Sequence, residues 1–170
     1  MRKTIRNVLL FLLPVMVFAM PQGLMAAQAG EELIHLDFDD GELDGFTTYT
    51  NGGECELENT EGALAVHIGT CGKLDYANQA YWDGFSLEQN CEYTYSFDVS
   101  CEIGRQLEYR LQLNGGDYHA YVGDFIAVGP EMTHVSVDFT MTEETDPAPR
   151  LAFNMGLMTD MAQDPGPHTV

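Results

Sequence analysis

Residues 107–121, LEYRLQLNGGDYHAY, constrain the fold of this chain more than any other stretch. Leu107, Tyr109, Leu111 and Leu113 alternate with Glu108, Arg110, Gln112 and Asn114, the period of a strand buried on one face. Asn114-Gly115-Gly116 supplies residues that tolerate positive φ, so the strand is expected to turn back as a hairpin. The return leg carries Tyr118 and Tyr121 among Gly and Asp rather than among aliphatics. The open face of this hairpin offers one guanidinium, two amides and nearby tyrosines, with no obvious nucleophile. Such a face suits holding a polar ligand better than transforming it.

The same alternation recurs along the chain. Residues 92–100 place Tyr93, Tyr95, Phe97 and Val99 on one side, residues 135–141 do so with Val135, Val137, Phe139 and Met141, and residues 150–155 with Leu151, Phe153 and Met155. The last run leaves Arg150, Ala152 and Asn154 outward. Residues 54–58 and 63–68 read as two strands around the turn residues Asn59-Thr60-Glu61-Gly62. Residues 33–38 and 76–82 are further candidate strands; Trp82 is assigned to core or rim. No stretch holds a 3.6-residue period, and Gly-rich turns recur at short intervals. The expectation is an all-β sandwich or barrel, one domain, without repeat or linker.

The first 29 residues read as a secretory leader. Arg2, Lys3 and Arg6 precede an apolar run over residues 8–20, and Ala27-Gln28-Ala29 gives small residues at the expected cut. The run is short for a membrane span, which needs about 20 apolar residues. Export to the extracellular side with cleavage after Ala29 is expected, leaving residues 30–170 as the folded module. The leader holds three of the seven basic residues and no acid, so the remainder sets 4 Lys+Arg against 27 Asp+Glu, a formal −23. A surface so acidic repels phosphate backbones and anionic lipid, which argues against nucleic acid and membrane as partners.

Cys55, Cys71, Cys91 and Cys101 all lie in the exported part, where disulfides persist. One or two structural disulfides are expected. The 91–101 pair is disfavoured, because a single strand between them would hold them about 30 Å apart. The acidic string from Asp37 lacks the helix-loop-helix calcium pattern: Gly41 falls fifth and Thr48 twelfth.

Taken in order, FDDGELDGFTTY, EGALAV, YANQ, GFSLEQNCEYTYSFDVS, NGGDYHAY and RLAFNMG resemble the family-4-type carbohydrate-binding modules, related to families 9 and 22, that accompany bacterial cellulases, xylanases and other glucanases. The resemblance runs from about Asp37 to Val170. It implies a β-sandwich jelly roll with an open cleft on one sheet, binding a single polysaccharide chain: β-glucan, amorphous cellulose or xylan. By position it places Tyr49, Gln79, Arg110, Asn114, Tyr118, Arg150 and Asn154 in that cleft. Alternation alone puts Arg110, Asn114, Arg150 and Asn154 on the same non-core side; Glu108 shares the parity of Arg110, and a small gap exchanges them. Tyrosines offer flat faces to sugar C–H surfaces, and amides and guanidinium groups pair with hydroxyls. The resemblance also implies a structural calcium near Asp37 and the carbonyl of Gly62. The family's last strand runs on where this chain has His168-Thr169-Val170, so a final strand segment, and a downstream catalytic domain, are expected beyond it.

Two rivals carry less. Glycoside hydrolysis needs two carboxyl groups in register, but the Glu-x-Asp-x-x-Glu strand of laminarinase-type jelly rolls is absent, as are H-E-x-x-H and G-x-S-x-G. A non-catalytic, monomeric module is therefore expected. An exported adhesion or assembly domain, binding protein or cell-surface glycan, would instead present a contiguous apolar outer patch.

Overall fold

In the computed structural model, residues 2–5, 31–60 and 62–170 are described, residues 2–5 and 31 by their backbone. Most of the leader expected over residues 1–29 lies outside the described residues. Twelve strands are present among those described: β1 Arg2–Ile5, β2 Glu31–Ile34, β3 Thr47–Thr50, β4 Glu54–Asn59, β5 Leu64–Thr70, β6 Asn78–Trp82, β7 Glu92–Val99, β8 Arg105–Gln112, β9 Ala120–Val128, β10 Thr133–Thr140, β11 Arg150–Asn154 and β12 His168–Thr169. A single 3-10 turn, Asp75–Ala77, precedes β6.

The strands form three sheets, ordered β10-β7-β1-β2, β3-β6-β11-β8-β9 and β12-β5-β4. All pairings in the five-stranded sheet are antiparallel. The strand β1 lies parallel between β7 and β2. The chain end is held on β5, where Val66 and Val170 exchange both backbone hydrogen bonds.

The expected all-β sandwich is what forms, and its alternation explains how. In β8, Leu107, Tyr109 and Leu111 are buried; in β7, Tyr93, Tyr95 and Phe97 are. Side chains of all three sheets meet in one core, with Val66 and Ile68 from β5, Tyr95 and Phe97 from β7, and Leu107, Tyr109, Leu111 and Leu151 from the five-stranded sheet. An aromatic seam crosses between the layers. Phe97 meets Phe153 of β11 edge-on at 5.1 Å and Tyr109 of β8 at 5.4 Å, while Tyr95 lies 5.2 Å from Phe97 and 5.9 Å from Tyr109. Trp82 also turns inward, stacked on Phe85 at 5.2 Å and on Phe46 at 6.5 Å.

The expected hairpin is present. The strands β8 and β9 pair in sequence across residues 113–119, where Leu113 N donates to His119 O, and Gly115, Gly116 and Tyr118 take φ of 129°, 58° and 54°. The candidate strand over 33–38 is only partly formed, since β2 ends at Ile34. The expected disulfides do not form: all four cysteines are free thiols. Cys71 and Cys101 are both buried near Arg105, whereas Cys55 and Cys91 are half-buried. Cys71 Sγ accepts from Arg105 at 3.8 Å, Cys91 Sγ donates to Glu88 at 3.6 Å, and Cys91 and Cys101 flank opposite ends of β7. Burial pushes the Cys55 thiol up to about 11 and raises those of Cys71 and Cys101, so all three are poor nucleophiles.

If the seam joins the layers, truncating its centre destabilises the whole domain. Phe97→Ala should cost about 3–5 kcal/mol of unfolding free energy in chemical denaturation. A loss under about 1 kcal/mol would show that the layers are held elsewhere.

Candidate functional site

The outward face of the five-stranded sheet carries the candidate site, and strand register assembles it row by row. Directly paired residues share a face, so Tyr49 of β3 lies beside Gln79 of β6, Gln79 beside Asn154 of β11, Asn154 beside Glu108 of β8, and Glu108 beside Phe125 of β9. One transverse row thus runs aromatic, amide, amide, carboxylate, aromatic. At ordinary strand spacing it spans about 19 Å. Its two ends lie on the edge strands of the sheet and are open to solvent, Tyr49 at 44% and Phe125 at 46% exposure.

The middle of the row is a hydrogen-bonded chain. Gln79 Nε2 donates to Asn154 Oδ1 at 2.7 Å, and Asn154 Nδ2 donates to Glu108 Oε2 at 2.6 Å. Asn154 is only 2% exposed. Both ends of its amide are used, so it orients Gln79 and Glu108, which stand higher in the cleft. The other Glu108 oxygen lies 3.5 Å from Arg110 Nη1, and Arg110 Nη2 donates to the carbonyl of Tyr118 at 2.8 Å. The row is therefore tied to the 113–119 loop.

The next row is Thr47, Tyr81, Ala152, Arg110 and Gly123. Gly123 is required by close packing: a Cβ there would stand 2.5 Å from the Tyr109 carbonyl oxygen and 3.3 Å from Arg110 Cα. With Ala152 it keeps the floor low between the long side chains. Beyond lies Arg150, whose guanidinium carbon sits 3.8 Å from the centre of the Tyr81 ring. Asn114 Nδ2 donates to Asp83 Oδ2 at 3.1 Å, joining the ends of β6 and β8 across the start of β11.

Thus Tyr49, Gln79, Arg110, Arg150 and Asn154 share this face, Asn114 closes one end, and Tyr118, 46% exposed, sits on the loop that Arg110 grips. Arg110 and Glu108 both belong to the cleft rather than excluding one another. Sequence reasoning held Glu108 only as an exchange for Arg110 and missed Tyr81 and Phe125. The signal for Tyr81 was present, since an inward Trp82 forces its neighbour outward. Phe125 gave none, because β9 has no clear alternation: Val122, Phe125 and Ile126 break the period.

The loop is anchored by charge. His119 Nδ1 lies 2.8 Å from Asp117 Oδ1 and Nε2 lies 2.9 Å from Glu143 Oε2, with the Tyr121 ring edge-on at 5.4 Å and its hydroxyl donating to Asp146 at 2.8 Å. The hydrogen bond to Asp117, then that to Glu143, raises the His119 pKa above its usual value. The same imidazole lowers that of Asp117.

Asp37 and Gly62 meet as well. A Cβ on Gly62 would stand 3.5 Å from the Asp37 carbonyl oxygen and 2.7 Å from Asp39 Oδ1, so Asp39 belongs to that neighbourhood. Among the described residues no group of three or more His, Cys, Asp or Glu side chains is placed to hold a metal ion. An ion there would take most of its oxygens from backbone carbonyls and water. A cavity of about 620 Å³ lies between the layers, lined by core residues such as Val66, Phe97 and Leu107 and open at a rim that includes Asp39 and Met132. No residue of the outward row lines it.

The family model described as "Carbohydrate binding domain" (CBM_4_9) matches residues 31–166. Comparison with curated protein sequences finds no match. Among solved structures the chain is similar to one titled "CBM4 structure and function", at 13% identity and a TM-score of 0.68, over 79% of this chain and 91% of that one. It is also similar to the N-terminal cellulose-binding domain of Cellulomonas fimi beta-1,4-glucanase C, at 22% identity and a TM-score of 0.59, over 78% and 86%. The second N-terminal cellulose-binding domain of that enzyme follows at 16% identity and a TM-score of 0.56, over 79% and 89%. At these identities the likeness is one of fold.

The His119 anchor gives the cleft a pH dependence. A raised histidine pKa means that its stabilisation is complete below the ordinary value of about 6.5 and is lost as pH rises through the folded value. The lowered Asp117 pKa means its part is present above the usual carboxylate range and lost as pH falls through its folded value. Amide protection factors of residues 113–119, with the intrinsic pH dependence of exchange divided out, should therefore be highest in the mildly acidic range and fall above the folded His119 pKa. In His119→Asn that upper limb should flatten; an unchanged profile would remove His119 as the anchor.

Proposed function

The chain belongs to the carbohydrate binding domain family, and from that premise we propose that the cleft on its five-stranded sheet binds one chain of a β-linked polysaccharide. It is a non-catalytic binding domain. The observation that carries the proposal is the transverse row, with an exposed aromatic ring at each end and an oriented amide–amide–carboxylate chain between them. A glycan alternates apolar C–H faces with a rim of hydroxyls. Tyr49 and Phe125 meet the faces, while Gln79, Glu108, Arg110 and Arg150 meet the rim. The binding of cellulose by solved relatives of the same fold, as their names state, supports this ligand class. On this reading the protein is secreted once residues 1–29 are removed, and it carries an attached glycoside hydrolase to its substrate.

Affinity electrophoresis of the exported protein in gels containing barley β-glucan, laminarin, xylan or hydroxyethylcellulose tests it. Retardation by at least one polysaccharide is expected, and Tyr49→Ala and Phe125→Ala should each weaken it roughly threefold to tenfold. Free migration of a demonstrably folded protein through every gel would discard the reading.

A structural calcium at Asp37, Asp39 and the Gly62 backbone is the second part of the proposal. Carboxylate and carbonyl oxygens are the ligands calcium takes. Burial, then the charges of Asp40, Asp37 and Glu42, raises the Asp44 pKa, so a cation would relieve crowding among these acids. Millimolar calcium should raise the thermal midpoint of the wild-type chain and leave that of Asp39→Ala unmoved. An equal rise in both would place the ion elsewhere.

A further inference from the structure

Arg150 is the least satisfied charge in the cleft. Its side chain is only 16% exposed, and its Nε is buried without a partner. Asp83 Oδ2, its charged neighbour, lies 3.9 Å away, beyond hydrogen-bond distance. No acceptor among the described residues takes a hydrogen bond from this guanidinium. The contrast with Arg105 is direct: that buried guanidinium donates to Met155 O and Gly156 O, both at 2.7 Å, and Nη1 lies 2.6 Å from His168 Nε2. Leaving buried donors unpaired is costly, and Arg150 is nonetheless held in place over the Tyr81 ring. A guanidinium in that state is a preformed recognition element awaiting acceptors.

The chemistry of those acceptors follows from the fork and its surroundings. Adjacent N–H groups of a guanidinium point the same way at fixed separation, so they match two oxygens side by side. A carboxylate has that geometry, but Asp83 and Glu108 flank the cleft and the exported chain carries a formal −23, which repels an anionic glycan. Two neighbouring hydroxyls on one sugar ring also set two oxygens side by side within reach of the fork, without the charge. Given the carbohydrate reading above, on which this step rests, we propose that Arg150, positioned by Tyr81, reads a pair of adjacent free hydroxyls. The cleft then selects 1,4-linked β-glycans over 1,3-linked ones. In a 1,4-linked chain every internal ring keeps its 2- and 3-hydroxyls free and adjacent. In a 1,3-linked chain the linkage consumes the 3-hydroxyl, so no vicinal pair of ring hydroxyls is left, and the 4-hydroxyl has beside it only the 6-hydroxyl on its rotatable exocyclic arm.

Calorimetric titration of the full chain with cello-, xylo- and laminari-oligosaccharides of equal length tests the proposal. The two 1,4-linked ligands should bind at least about tenfold more tightly than the 1,3-linked one, the worth of a hydrogen bond or two. Arg150→Lys keeps the charge and the stem but removes the fork, so it should close most of that gap by weakening the 1,4-linked ligands alone. Tyr81→Phe retains the ring face and should keep the preference, while Tyr81→Ala should narrow it. Circular dichroism confirms that each variant is folded. Laminari-oligosaccharide binding as tight as the others, or a preference that survives Arg150→Lys, overturns the linkage proposal and leaves the carbohydrate reading standing. Binding of none of the three by folded wild-type protein overturns both.

Discussion

The aromatic seam between the layers is the constraint from which the rest follows. Phe97, Tyr109 and Phe153 meet edge-on in the core, and two of them belong to the strands that also carry the cleft. Because side chains alternate, placing Tyr109 inward sends Glu108 and Arg110 outward, and placing Phe153 inward sends Ala152 and Asn154 outward. A slip of one residue in either strand would bury the cleft and expose the seam. Core packing and ligand site are thus two sides of one register, and the apolar free energy of the seam holds the polar row in place.

The chain uses its few cations with economy. Outside the expected leader there are four: Lys73, Arg105, Arg110 and Arg150. Arg105 is buried and fastens the start of β8 to the segment after β11 and to His168. The histidine donates from Nδ1 to the Gly166 carbonyl, which leaves Nε2 to accept from the guanidinium. Arg110 and Arg150 lie together on the cleft face. In a protein this acidic, two guanidinium groups on one sheet face mark it out from the remaining surface.

Much of this was legible in the sequence, for an identifiable reason. The strands β4, β7, β8 and β10 each have one face more exposed than the other, and β11 alternates in sequence although Ala152 and Asn154 on its outer face are covered, so parity sorts their residues. Arg110, Arg150 and Asn154 were placed on the cleft side by parity alone. Legibility failed where period two fails. The strand β3 is four residues of Thr and Tyr at the sheet edge, with little burial to write a pattern. The loop before β6 ends in a 3-10 turn, so a strand counted from Tyr76 starts too early. Parity also gives direction and not depth: it could not show that Asn154 lies beneath its neighbours as their support. The cysteines illustrate a different limit, since their number suggests pairing whereas all four are free thiols in the fold.

The Gln79–Asn154–Glu108 chain has a direction. Each amide donates toward β8 and none donates back, so the row begins in a donor and ends in a carboxylate. A polysaccharide is itself directional, with chemically distinct ends. Laid across a floor that differs from left to right, it meets two inequivalent fits according to which way it points. If a glycan lies along this row as proposed, the two orientations differ in fit, and whatever is tethered to the domain would face one particular end of the strand it rides on.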